Sequence, residues 1–152
     1  MGNLKGISGE FMAMSDALEK GYIVAKIPEV GSHFNMYDFV LDDGVKLFRV
    51  EVKTSDYREK TRRQNCVEFK LRRKNGLKYN VDCFALVCLK ISKVAWIPAD
   101  NIKNKRRHTI LYKEFDYHQL PDNSLIEETN KQKEAVKQLS LFNNTLKTKR
   151  GT

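Results

Sequence analysis

Three prolines, three cysteines, three histidines and one tryptophan are all that the 152 residues hold of those types. Cys66, Cys83 and Cys88 form an odd set with no C-x-x-C pair. That excludes a disulfide framework and a thiolate zinc site, and leaves three buried thiols as the expectation. No apolar run approaches the roughly 18 residues that a membrane span requires. The opening MGNLKGISGEFMAM lacks the basic-then-apolar layout of a secretory signal, so a cytoplasmic protein, associated with the nucleoid if it binds DNA, is expected. Acidic residues are also in short supply: 19 Asp and Glu stand against 28 Lys and Arg, for a net charge of +9 and a pI near 9.5. Such an imbalance points to a polyanionic partner, nucleic acid or an anionic surface, without choosing between them. With 41% hydrophobic residues, the chain is long enough for one cored domain and too short for two ordinary ones.

The pattern along the chain then assigns elements. Ile7, Phe11, Met14 and Leu18 recur as one helical stripe with Gly21 as a stop, and Glu10 lies beside that stripe. YIVAKI reads as a strand, and Pro28 with EVGSHFN as a loop long enough to reach over a site. MYDFVLDDGVKLFRVEVKTS reads as a hairpin turning at Asp43-Gly44. Its second strand places Phe48, Val50 and Val52 on one face and Arg49, Glu51 and Lys53 on the other. Between Asp56 and Lys78, nine Lys and Arg face three Asp and Glu, yet Val67, Phe69 and Leu71 alternate through part of this stretch as a strand, before an Asn75-Gly76 turn. VDCFALVCLK and KVAWIPA are continuous apolar runs, the mark of strands buried on both faces beneath covering helices. After Pro98 the pattern weakens into an expected basic loop, DNIKNKRRHTILYKEFD, and Ser124 to Lys137 reads as a polar helix. One domain over residues 1–120 and a polar tail over 121–152 follow.

RVEVKTSD, residues 49–56, sets a glutamate and a lysine two positions apart on one strand face. An isolated E-x-K is ordinarily a surface ion pair worth about 0–1 kcal/mol. Here it has company: Asp38 opens the preceding strand and Glu10 borders the core side of the first helix. Three carboxylates and an ammonium on neighbouring elements suit Mg²⁺, which takes one or two carboxylates, keeps several waters and bridges to phosphate oxygens. A metal-bound water is a competent nucleophile at neutral pH, and a lysine beside it can orient that water or stabilise developing charge.

The order Glu10, Asp38 and E-V-K at residues 51–53 resembles the PD-(D/E)XK nuclease superfamily. Within it, KGISGEF, YDFVLDD, FRVEVKTS, YNVDCFALVCL and WIP are similar to the small group I intron-associated endonucleases and to archaeal Holliday junction resolvases. The resemblance covers roughly residues 5–100 and implies an α/β fold, a mixed β-sheet flanked by helices with a restriction-endonuclease-like core. It also implies that Asp38 and Glu51 bind Mg²⁺ with help from the Val52 carbonyl, that Lys53 activates water, and that Glu10 supports the metal from the helix. Tyr37 stands where the superfamily's proline would be, and intron-encoded relatives often have glutamine where this chain has Glu51.

The basic stretch then acquires an expected use on DNA phosphates, through Lys5, Arg58, Arg62, Arg63, Lys70, Arg72, Arg73 and the cluster from Lys103 to Arg107, with Tyr57 and Gln64 reading bases or wedging strands and Ser32 and His33 approaching the DNA from their loop. The alternative for each residue singly is a solvated surface. QLSLF, residues 138–142, matches the pattern by which bacterial proteins dock to the replication sliding clamp, with Leu141 and Phe142 as anchors, Leu139 beside them and Gln138 at the rim. The alternative is an amphipathic tail packed on the domain. The expected function is a Mg²⁺-dependent DNA endonuclease of recombination or repair, a homodimer or homotetramer. A site-specific intron homing endonuclease and a catalytically silent DNA-binding accessory factor are the alternatives.

Overall fold

Residues 3–27, 37–55, 65–71, 80–102 and 104–150 are described in the computed structural model. Helix α1 (Asn3–Glu19) leads into β1 (Ile23–Lys26), β2 (Phe39–Asp42) and β3 (Leu47–Ser55), then β4 (Cys66–Lys70), β5 (Cys83–Cys88) and β6 (Lys93–Pro98). A short α2 (Ala99–Ile102), β7 (Arg107–Leu111), a 3₁₀ turn over Tyr112–Tyr117 and a long α3 (Ser124–Arg150) complete the order. The main sheet runs β1-β2-β3-β5-β6, and only the β3–β5 contact is parallel, so the sheet is mixed. The β2–β3 connection is the predicted hairpin. Gly44 supplies a positive φ of 94°, and the Asp43 carboxylate accepts the Val45 and Lys46 N–H groups at 2.8 and 2.7 Å. Those donors hold the Asp43 carboxyl below the usual carboxylate range.

β5 is buried from both sides, as its continuous apolar run requires. Ala85 and Val87 join Val50, Val52, Trp96 and the α1 residues Ala13, Met14 and Ala17 in one core. Phe84 and Leu86 join Val67, Phe69, Ile97, Ile110 and Phe115 in the other. The mixed sheet is flanked by helices, as expected, and the second core adds a cover that the sequence pattern did not foretell. β4 and β7 pair as a two-stranded antiparallel ribbon that covers that face with α2 and the 3₁₀ turn. β7 also replaces the expected basic loop. Its sequence carries little strand signal, and Ile110 opposite Val67 gives it one buried anchor in a ribbon that exists only through pairing.

The stripe read on α1 needs a second correction. Phe11 and Leu18 are 58% and 55% exposed, and the face that meets the sheet is Gly9, Ala13 and Ala17, with Met14 at its border. Small residues let the helix axis approach closely, and Gly9 lies hard against the Thr54 side chain. Trp96 then fixes the helix by a bond that the pattern did not foretell, its Nε1–H donating to Asp16 Oδ2 at 2.7 Å. Cys66 and Cys88 are buried thiols, but Cys83 is only partly covered by residue surface; desolvation still pushes its thiol up to about 12.

Arg49 and Asp82 clip β3 to the entry of β5. The Arg49 N–H donates to Asp82 Oδ2 at 2.8 Å, and Nε and Nη2 reach the same carboxylate at 3.1 and 3.2 Å. The Asp82 carboxyl is held below its ordinary value, first by the Arg49 side-chain bond. A carboxyl whose folded pKa is depressed contributes stability above its unfolded pKa, about 3.9, and loses it as pH falls through the folded value. Asp82→Asn is therefore expected to lower the urea midpoint at pH 7 and to leave it nearly unchanged at the lowest pH at which both proteins remain folded, as read by tryptophan fluorescence.

Candidate active site

β3 carries the candidate chemistry because its two faces differ. Val50 and Val52 point into the α1 core, so the residues between and beyond them, Glu51 and Lys53, point to the opposite side of the sheet. Glu51 is 9% exposed, and burial of a carboxylate is costly unless it is paired. Lys53 Nζ lies 3.5 Å from Glu51 Oε1, near the end of a strand where both remain reachable. The E-x-K pair is thus a part-buried ion pair rather than a solvated decoration.

Asp38 reaches this pair from the start of β2. The ladder pairs Phe39 with Val50, and Asp38 comes next along the strand. Its N–H donates to the Val50 carbonyl at 2.8 Å, while its Oδ2 accepts the Val52 N–H at 2.7 Å. A side-chain oxygen bonds the peptide N–H between Glu51 and Lys53, which fixes the Asp38 carboxylate against the E-x-K segment.

Glu10 arrives by another route. It projects from α1, and Lys26 Nζ lies 3.5 Å from its Oε2 and 5.3 Å from the Phe11 ring centre. Lys26 pairs with Phe39 in the β1–β2 ladder, and the Ile27 N–H donates to the Asp38 carbonyl at 3.3 Å. Glu10 is therefore linked to Asp38 through β1. Among the described residues no group of three or more His, Cys, Asp and Glu is arranged to hold a metal ion. Asp38, Glu51 and Lys53 are tied directly to one strand segment, and Glu10 on α1 pairs with Lys26. Lys26 escaped the sequence reading, because a lysine at the end of a short strand carries no motif until the fold sets it beside a carboxylate.

Two carboxylates on adjoining strand positions, one of them buried with a cation already 3.5 Å away, are donors of the kind a hard divalent ion takes. Asp38 and Glu51 would hold such an ion, with the Val52 carbonyl as the next oxygen along the strand.

The proposed DNA contacts divide. Lys5 is exposed on α1, and Lys70 is exposed on β4 opposite Arg107 of β7. Lys105 and Arg106 are exposed at the approach to β7, and Arg107 pairs with Glu68 at 3.1 Å. Lys70 and Arg107 thus lie side by side on the outer face of the ribbon, where Glu68 also stands. Ser32, His33, Tyr57, Arg58, Arg62, Arg63, Gln64, Arg72, Arg73 and Lys103 lie outside the described residues, as does the Asn75-Gly76 turn. Gln138, Leu139, Leu141 and Phe142 lie within α3, and every side chain from 132 to 148 is exposed. The tail beyond Lys137 is thus a continuation of the helix.

Comparison with known proteins agrees with this architecture. The chain is similar to a bacterial homing endonuclease, I-Ssp6803I, at 23% identity with a TM-score of 0.62, covering 88% of this chain and 96% of that one. It also matches a Holliday junction resolvase, Hjc from the archaeal hyperthermophile Archaeoglobus fulgidus, at 14% identity with a TM-score of 0.43, covering 76% and 96%. No functionally curated protein matches. A family model described as PD-(D/E)XK endonuclease matches residues 2–124, from the start of α1 to the start of α3. The chain belongs to the PD-(D/E)XK endonuclease family.

Proposed function

We propose that the protein is a Mg²⁺-dependent DNA endonuclease that hydrolyses phosphodiesters to leave 5′-phosphate ends, and that it works in recombination or repair. The observation that carries this is the Asp38 bond to the Val52 N–H, which sets a carboxylate against the Glu51–Lys53 pair. Asp38 and Glu51 would hold the ion, which would supply a more acidic water and neutralise charge on the phosphate. Lys53, tethered by Glu51, orients the attacking water or stabilises charge that grows on phosphate oxygens. Glu10 supports the same group from α1, and Lys26 offers a second ammonium beside it. Lys70 and Arg107, side by side on the outer face of the β4–β7 ribbon, position the duplex by its phosphates together with Lys105 and Arg106 at the approach to β7.

Incubation with Mg²⁺ and a panel of supercoiled plasmid, four-way junction, flap and single-stranded DNA tests the assignment. Cleavage confined to the branched substrates supports a resolvase, and cleavage of plasmid at one long sequence supports a homing enzyme. No cleavage of any substrate, in Mg²⁺ or Mn²⁺, leaves a silent DNA-binding factor and sinks the nuclease.

We further propose that QLSLF tethers the enzyme to the sliding clamp. On α3 the anchors Leu141 and Phe142 project about 100° apart, so docking of both into one pocket requires the helix to open locally. Its exposure on every side, together with Asn143 and Asn144 just beyond the motif, makes that opening cheap. Leu141→Ala with Phe142→Ala is expected to weaken clamp binding by surface plasmon resonance about 30-fold or more. Undiminished binding would remove the tether.

A further inference from the structure

Helix α1 has two apolar faces, and its own domain uses one. Gly9, Ala13 and Ala17 pack on the sheet, whereas Leu4, Phe11 and Leu18 stand outward, more than half exposed. These three recur every seven residues, and the partly buried Ile7 falls between the first two at the spacing of a coiled-coil seam, while Met14 belongs to the sheet-facing core. A helix that is apolar on opposite sides is one that is covered on both. Helix α3 displays a seam of the same period, Ala135, Leu139, Phe142 and Leu146, and all four are exposed.

We propose that the α3 seam of one copy packs on the outer face of α1 in a second copy, and the reverse, in a two-fold exchanged dimer. The two seams match in length as well as period: Leu4 to Leu18 spans about 21 Å of helix and Ala135 to Leu146 about 17 Å. Their flanks are compatible. Ser8 and Ser15 beside the α1 seam and Gln138, Asn143 and Thr145 beside the α3 seam are uncharged, so no like charges meet. Further out, the cleft next to Phe11 is lined by Asp16, Glu19 and an Asp116–Lys93 ion pair at 2.7 Å, a net acidic rim, and α3 carries Lys133 and Lys137.

The partner is a second copy because of where α3 starts. The Asn123 N–H donates to the Lys20 carbonyl at 2.8 Å, Asn123 Nδ2 to the Asp43 carbonyl at 2.7 Å, and the Tyr22 hydroxyl to the Pro121 carbonyl at 3.0 Å. These bonds pin the segment before α3 at the C-terminal end of α1. From there α3 runs about 40 Å as one uninterrupted helix, with every side chain from 132 to 148 exposed, so it does not turn back over its own α1. Reciprocal seating makes the contact isologous and doubles the apolar area it covers. The proposal does not depend on the nuclease assignment, and its test reads association alone.

Light scattering on the full chain is expected to give the dimer mass, or a multiple of it, and Leu139→Glu with Phe142→Glu to raise the dissociation constant about 30-fold or more. Thiol trapping identifies the surfaces. Single variants Leu4→Cys, Phe11→Cys and Leu18→Cys are each mixed with Leu139→Cys or Leu146→Cys and oxidised; Cys66 and Cys88 are buried and the Cys83 thiol is held near 12, so background is low. A disulfide between an α1 variant and an α3 variant on separate chains is expected in at least one mixture. The proposal is overturned by a monomeric wild-type protein, by cross-links only between two α1 variants or only between two α3 variants, or by no cross-link in any mixture.

Discussion

Asp38→Asn is expected to lower DNA cleavage by about 10³-fold or more while leaving the protein as stable as wild type. The asparagine carbonyl still accepts the Val52 N–H, so the local geometry survives and only the negative charge is removed. Under the proposed function that charge would hold the cation beside the E-x-K segment, and several kcal/mol of transition-state stabilisation would go with it. Asp38→Ala separates the two roles. It deletes the acceptor as well, leaves the Val52 N–H unsatisfied in a part-buried strand, and adds a stability loss of about 1–3 kcal/mol. Lys53→Ala belongs to the same series, with an expected loss of about 10²–10⁴-fold, because it removes the charge that orients water or meets phosphate and leaves Glu51 buried with one cation fewer. Single-turnover cleavage at saturating protein, with a urea titration of each variant, reads both quantities. Wild-type rates in Asp38→Asn and Lys53→Ala, on any substrate the parent cuts, would remove this site.

Gly9→Ala is expected to destabilise the domain by about 1–3 kcal/mol, whereas Gly6→Ala on the same helix stabilises it by up to about 1 kcal/mol. Both changes favour the helix intrinsically, so the sign is decided by what a new methyl group meets. At Gly6 nothing lies within 4 Å of the added carbon, while at Gly9 it would fall inside the Thr54 side chain, between two backbones locked by sheet and helix bonds. The consequence reaches the active site. Glu10 follows Gly9, and Thr54 follows Lys53, so the Gly9–Thr54 contact sets the distance between the helix that carries Glu10 and the strand that carries Lys53. Gly9→Ala is therefore expected to slow cleavage as well as to unfold earlier, and Gly6→Ala to do neither. Thermal melts and cleavage rates of the pair decide it.

Leu139 and Phe142 belong both to the clamp-like QLSLF motif and to the α3 seam. A chain whose α3 is seated on a second copy has those two side chains covered, so dimer formation and clamp docking compete for the same residues. Leu141 lies on the far side of the helix and belongs to the clamp motif alone.

The core strands were legible before any coordinates. VDCFALVCLK and KVAWIPA announce strands buried on both sides, and the alternation around Glu51 and Lys53 already places both on one face, because strand geometry has a period of two that no tertiary contact can change. The order Glu10, Asp38 and E-V-K carried the resemblance to the family whose model matches residues 2–124. What covers each sheet face was a different matter. The α1 stripe is plain in the sequence, yet periodicity says only that a face is apolar, not which partner it meets, and the small-residue face went to the sheet because Gly9 permits a closer approach than Phe11 or Leu18 would. β7 shows little strand signal since its stability comes from pairing with β4 across a long separation in the chain. Lys26 beside Glu10, the Asp38 bond to Val52 and the Trp96 bond to Asp16 join residues 14 to 80 positions apart, as side-chain partnerships of that kind must. Sequence by itself determined the strands, the helix and the chemical kinds of residue at the site; the packing of α1 and the ribbon on the sheet decided which of those residues stand together, because that choice rests on the distance between backbones.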